Sequence, residues 1–173
     1  MPGEPRLRHN PLIDPRELEQ LHGQCFSWAL TCTRGQRSEA EDVLQMTYLA
    51  IIEGRARFDG ASSLKTWMFA VIRNQARSRW RRLQYSLSSL TRLASLAAVE
   101  QDEPQADDTS RLLGAWHALP ARQREILDLV FYRGLAIAEA AAILGISVGT
   151  ARTHYERGKA ALRRQLGEQE RMP

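Results

Sequence analysis

The chain has little of what most enzymes and metalloproteins need. It has two cysteines, Cys25 and Cys32. Their spacing fits no usual zinc pattern, and no Cys/His cluster accompanies them. They read as small buried hydrophobes or thiols of a reducing compartment, or alternatively as a redox or metal switch. His9, His22, His117 and His154 are scattered without metal-ligand spacing. There is no phosphate-cradling glycine loop and no nucleophile motif. Acid pairs such as Glu100 and Asp102 fall in a segment that reads as a connector. The expectation is a protein with no metal, no cofactor and no catalytic chemistry of its own. Long apolar runs are also absent: none approaches the roughly 20 residues of a membrane span. The N-terminus lacks the apolar core of a signal peptide. This points to a cytoplasmic chain with no membrane insertion. No stretch alternates apolar and polar residues long enough for a sheet, and no internal repeat is visible.

What is present is segregated charge. The apolar fraction, 43%, supports real cores, and the net charge of +4 is only mildly basic. Its distribution says more. Residues 61–99 hold no acid at all, against Lys65, Arg73, Arg77, Arg79, Arg81, Arg82 and Arg92. Residues 100–108 hold five acids and no base. A basic block followed by an acidic connector is typical of nucleic-acid-binding chains.

Helical periodicity runs through two blocks. Residues 1–13, rich in proline and scattered charge, read as a flexible arm. Asp14-Pro15 is a cap followed by proline at the first helical position. Leu18, Leu21, Cys25, Trp28 and Ala29 then repeat at helical spacing. After Gly35, Ser38 and Glu41 form a capping-box pattern. The helix that follows carries Val43, Met46, Leu49 and Ala50 near one face, widened by Tyr48, Ile51 and Ile52. Residues 58–63 form a turn. A long helix over 64–84 has an apolar stripe of Leu64, Trp67, Met68, Val71, Ile72, Ala76, Trp80 and Leu83. Trp67 reads as core, while Trp80, inside an arginine run, reads equally as core or exposed. Residues 87–108 form a linker. A second block occupies 109–170, with helices to Leu119-Pro120 and over 121–132, the latter with Ile126, Leu127, Leu129, Val130 and Phe131 apolar. The fold class is all-α: two small bundles joined by a flexible linker.

The last third has the grammar of a helix-turn-helix. A short Ala-rich helix over 137–144 meets Gly145, Ile146 plugs the turn, and Ser147 caps a second helix bearing Arg152, Arg157, Lys159, Arg163 and Arg164. Gly158 inside that helix costs about 1 kcal/mol relative to alanine. Such a helix suits a DNA major groove.

Two blocks carry a family resemblance. The first runs Ala40-Glu41-Asp42-Val43-Leu44-Gln45-Met46-Thr47-Tyr48-Leu49, then Arg57-Phe58, then Leu64 to Ala76 through Trp67, Arg73 and Asn74. The second runs Ala118-Leu119-Pro120-Ala121-Arg122-Gln123-Arg124-Glu125-Ile126-Leu127, then Leu144-Gly145-Ile146-Ser147-Val148-Gly149-Thr150. Together, and in this order, they resemble regions 2 and 4 of extracytoplasmic-function sigma factors of the bacterial sigma-70 family.

The resemblance implies a promoter-specificity subunit that binds core RNA polymerase and promoter DNA and is held in check by an anti-sigma factor. It assigns polymerase docking to Glu39, Glu41, Asp42, Gln45 and Tyr48. Melting and reading of the −10 element fall to Asp59, Ser62, Ser63, Lys65, Arg73, Asn74, Arg77, Trp80 and Arg81. Asn74 matches a polar residue near the flipped-out base, and 59–63 matches the base-specificity loop. Recognition of the −35 duplex falls to Ser147, Gly149, Thr150, Arg152, Thr153, Glu156 and Arg157. His154 and Tyr155 read as base, phosphate or core contacts. Two other readings stay open: a stand-alone helix-turn-helix regulator, and a decoy that titrates an anti-sigma factor without touching promoters.

Overall fold

A computed structural model describes residue 10, residues 12–90 and residues 108–169. Two compact units divide between Ser89 and Leu90. Among the described residues all regular structure is helical.

The first unit is built from α1 (Pro15–Cys32), α2 (Arg37–Ile52) and all but the last residue of α3 (Leu64–Leu90). Asp14 caps α1, its side chain accepting from the Arg16 N–H, with Pro15 at the first helical position as expected. The capping box at Ser38 does not form. The α2 helix starts earlier, at Arg37 after an extended Gln36 that makes no side-chain cap. The sharp corner between α1 and α2 sets that start: Arg34 and Gly35 both take left-handed backbone, φ 57° and 84°. Ser38 is thereby drawn inside the first turn, and Glu41 pairs instead with Arg37, one helical turn back, at 3.0 Å.

Cys25, Trp28 and Ala29 of α1, Val43 and Thr47 of α2, and Met68, Phe69 and Ile72 of α3 are fully buried. The Trp28 indole stacks on Phe69 and its N–H donates to the Phe69 carbonyl at 2.9 Å. A large apolar ring is thus buried without leaving its polar atom unpaired. Buried Thr47 donates to the Val43 carbonyl at 2.8 Å. Cys25 is buried and Cys32 half-buried, neither in a disulfide. Among the described residues no group of three or more His, Cys, Asp or Glu could hold a metal ion. The α3 helix continues to Leu90, past the point where the linker was expected to begin; residues 91–107 of that linker lie outside the described residues.

The second unit packs α4 (Asp108–Ala118), α5 (Ala121–Leu127), a π-helical turn (Asp128–Tyr132), α6 (Ile137–Leu144) and α7 (Val148–Gln169). Leu119, Ile126, Leu127, Leu129, Ala140, Ala141, Ile143, Leu144 and Ala151 make its core. The π-turn was not foreseen. Its wider hydrogen bonding, with the Arg133 N–H on the Asp128 carbonyl at 3.0 Å, adds a residue to the helical register. A nearly buried Asp128–Arg133 ion pair braces it. Phe131 and Tyr132, within this turn, are each 78% exposed.

No helix among the described residues is long and apolar enough to cross a membrane.

Candidate nucleic-acid interface

In the second unit, α6 ends on Gly145 in left-handed conformation (φ 59°), its N–H on the Ala142 carbonyl and that of Ile146 on the Ala141 carbonyl, both at 3.1 Å. Glycine takes this conformation without the steric penalty of a β-carbon. The chain then reverses into Ser147, whose Oγ accepts from the Thr150 N–H at 3.1 Å and caps α7. At the other end of the motif, the Glu139 carboxylate accepts from the Ala136 N–H at 2.9 Å. The turn and the starts of both helices are thus fixed by local chemistry.

On α7, burial splits by face. Ala151 and Gly158 are buried against the bundle, while Gly149, Thr150, Arg152, Thr153, Glu156 and Arg157 are all exposed. At 3.6 residues per turn these six fall within about half the circumference. Gly158 explains itself here. A β-carbon on it would lie 2.8 Å from Leu127 Cδ1 and 3.3 Å from Gln123 Cβ, so its absence lets α7 and α5 approach closely. Glu156 is bridged to Lys159 at 2.9 Å, whose ammonium also sits over the Tyr155 ring. Glu156 itself is 67% exposed, so this surface pair opens at little cost. His154 and Tyr155 are half-buried between the two faces. Sequence reasoning passed over Val148, 41% exposed at the start of the helix. An apolar side chain in that place can meet a thymine methyl.

In the first unit, Asn74, Arg77 and Arg81 are exposed on α3, and Trp80 is 51% exposed with the Arg34 guanidinium 5.8 Å from its ring centre. The three polar residues follow at i, i+3 and i+7, so they share a face. Lys65 is half-buried over the Phe69 ring. Arg73 corrects the expectation for a DNA-facing cation: it is 2% exposed and belongs to the interior. Its place was legible, since it follows Ile72, four residues after Phe69 and three before Ala76, on the apolar side of α3. The turn before α3 presents Asp59, Ser62 and Ser63, all exposed. Asp59 Oδ1 accepts from the Ala61 N–H, and Ser63 Oγ caps α3 by accepting from the Thr66 N–H.

The expected docking residues of α2 divide into two groups. Glu39 and Asp42 are tied to Arg79 of α3, with Arg79 Nη2 2.7 Å from Asp42 Oδ2. The hydrogen bond from Arg79 holds the Glu39 carboxyl below its ordinary range. Glu41 and Gln45 are exposed. Tyr48 is half-buried, its hydroxyl 2.9 Å from His22 Nδ1, and burial pushes its pKa up to about 12. Leu49 and Ile52, read from periodicity as stripe residues, are instead 44% and 45% exposed. Glu41, Gln45, Leu49 and Ile52 thus follow at i, i+4, i+8 and i+11, a mixed polar and apolar strip along one edge of α2.

Residues 18–85 match the family model described as Sigma-70 region 2, and residues 110–162 that described as Sigma-70, region 4. The RNA polymerase sigma factor CarQ of Myxococcus xanthus is 32% identical over 133 residues, covering 76% of each chain. The ECF RNA polymerase sigma factor SigF of Caulobacter vibrioides is 34% identical, covering 76% of this chain and 73% of SigF. The chain belongs to the extracytoplasmic-function sigma factors of the sigma-70 family. As such, this sigma factor directs promoter-specific initiation by RNA polymerase. Among solved structures, the sigma factor RpoE of Bartonella quintana, in complex with the anti-sigma factor NepR, is similar at TM-score 0.71 and 25% identity, over 88% of this chain and 95% of RpoE. CnrH, solved with the cytosolic domain of CnrY, shares the fold at TM-score 0.59 and 24% identity, over 88% of this chain and 87% of CnrH.

Proposed function

We propose that this sigma factor docks on core RNA polymerase through the α2 strip, opens and reads the −10 element with α3 and the loop before it, and reads the −35 duplex with the start of α7. The observation that carries the reading is the split of α7: its buried face locks it into the bundle, and its exposed face begins at a capped N-terminus with small residues and arginines. Helices that read a major groove present their first turns to base edges while the flanks meet phosphates. On α3, Arg77 and Arg81 supply charge for the backbone, Asn74 a polar contact, and Trp80 an exposed ring on which an unpaired base stacks. The catalytic chemistry is the polymerase's, and the sigma factor works where the polymerase works, in the cytoplasm.

The proposal includes restraint by an anti-sigma factor, supported by the Bartonella relative solved with one. Two modules that each bind weakly suit such control, because joint engagement multiplies their affinities. The test is run-off transcription from a template library randomised around −35 and −10. Core polymerase plus the chain should initiate from a defined subset, and core alone should not. Tight duplex binding by a dimer of the chain without polymerase would favour a stand-alone regulator instead.

A further inference from the structure

We propose that Asn10 is a positioning residue for the −10 loop, pinning the start of that loop so that its exposed tip keeps one shape. The inference rests on the −10 reading just given. Residues 1–13 were expected to be a flexible arm, and Asn10 lies outside the stretch that matches region 2. Yet the end of that arm is docked on the loop. The Asn10 amide Nδ2 donates to the Phe58 carbonyl at 2.9 Å, across 48 residues of sequence. Its Oδ1 accepts from the Leu12 N–H, and its main-chain carbonyl accepts from the Ile13 N–H, both at 3.1 Å. The amide is therefore held at both ends, and Ile13 anchors the strap with only 6% exposure. Leu12 Cδ1 comes within 3.9 Å of where a β-carbon on Gly60 would stand, and Gly60 itself is left-handed at φ +76°.

Phe58 is consequently gripped from two sides. Its ring lies 5.3 Å from that of Trp67 on α3, and its carbonyl is taken by Asn10. Ser63 fixes the far end by capping α3. Between these pins, residues 59–63 are exposed. A loop that discriminates among bases needs this restraint: alternative loop shapes accept alternative bases, and ordering on binding costs affinity.

The test uses the full chain on core polymerase, templates with a randomised −10 segment, and sequencing of the run-off products. Asn10→Ala should reduce −10 discrimination about three- to tenfold, the ratio set by one ordinary hydrogen bond. Core binding and −35 preference should be unchanged. Asn10→Gln, which keeps the amide N–H, should recover part of the loss. An Asn10→Ala chain with wild-type −10 preferences overturns the proposal, and so does a parallel fall in core binding, −35 and −10 output, which marks a general folding role. If the wild-type chain itself shows no −10 preference, the −10 reading fails and this inference falls with it.

Discussion

Gly158→Ala separates local propensity from packing, because the two predict opposite signs. Replacing glycine by alanine inside a helix should stabilise by about 1 kcal/mol if α7 were free on that side. It is not free. The new methyl would lie 2.8 Å from Leu127 Cδ1 and 3.3 Å from both Leu127 Cγ and Gln123 Cβ. The Leu127 methyl could swing away from an isolated contact, but Leu127 is 3% exposed within the core and its Cγ is also too near. Overpacking of this kind costs about 1–3 kcal/mol. The net expectation is destabilisation by about 1 kcal/mol, rising for Gly158→Val, whose branches need more room. The assay is hydrogen exchange of peptides from α5 and α7 in the full chain across a urea series. Peptides from the first unit serve as the internal control. Stabilisation of the second unit by Gly158→Ala, near the propensity value, would refute the close-approach reasoning.

Other substitutions divide structural arginines from functional ones. Arg73→Ala should lower folding stability by about 2–5 kcal/mol through the buried interactions it breaks and the space it leaves, measured by urea unfolding. The exposed Arg77→Ala and Arg81→Ala should shift stability by less than about 0.5 kcal/mol, while slowing promoter opening in a permanganate time course. Arg152→Ala should weaken use of −35 sequences by about 1–3 kcal/mol at the position it reads; an unchanged preference in the library assay would remove it from the interface. The Glu39–Arg79 pair predicts an acid limb. The Glu39 carboxyl is held below its ordinary 4.5, so the pair's contribution is complete above that value and lost as pH falls through the lowered folded value. Tyr48 predicts the alkaline limb: its pKa is raised from 10.0 to about 12, so the unfolded chain ionises first and stability falls as pH rises past 10.0. Unfolding midpoints for Glu39→Gln and Tyr48→Phe that keep the wild-type limbs would contradict these assignments.

Much of the architecture was legible because it is local. Asp14-Pro15, Gly145 and Ser147 announce helix ends through backbone chemistry that needs no tertiary partner. The exposed face of α7 follows from the same periodicity that buries Ala151. What escaped depends on contacts far apart in sequence or on a change of helical register. Arg79 reads as one more free cation until α3 is laid beside α2, where it takes up Glu39 and Asp42. The π-turn breaks the 3.6-residue period after Leu127, and the apolar Phe131 within it is exposed. Leu49 and Ile52 look like core from spacing alone, yet α2 turns them outward beside Glu41 and Gln45. A proline-rich start suggests disorder, while a single asparagine at its end ties down a loop 48 residues away.

The central claim is that two helical units act together on one promoter only when carried by the polymerase. Permanganate footprinting of a promoter selected from the library tests it most directly. The account predicts reactive, unpaired thymines at −10 when chain, core polymerase and DNA are all present, and none when either protein is omitted. An opened −10 segment with core alone, or protection of the −35 duplex by the chain alone with no opening after core is added, would contradict it.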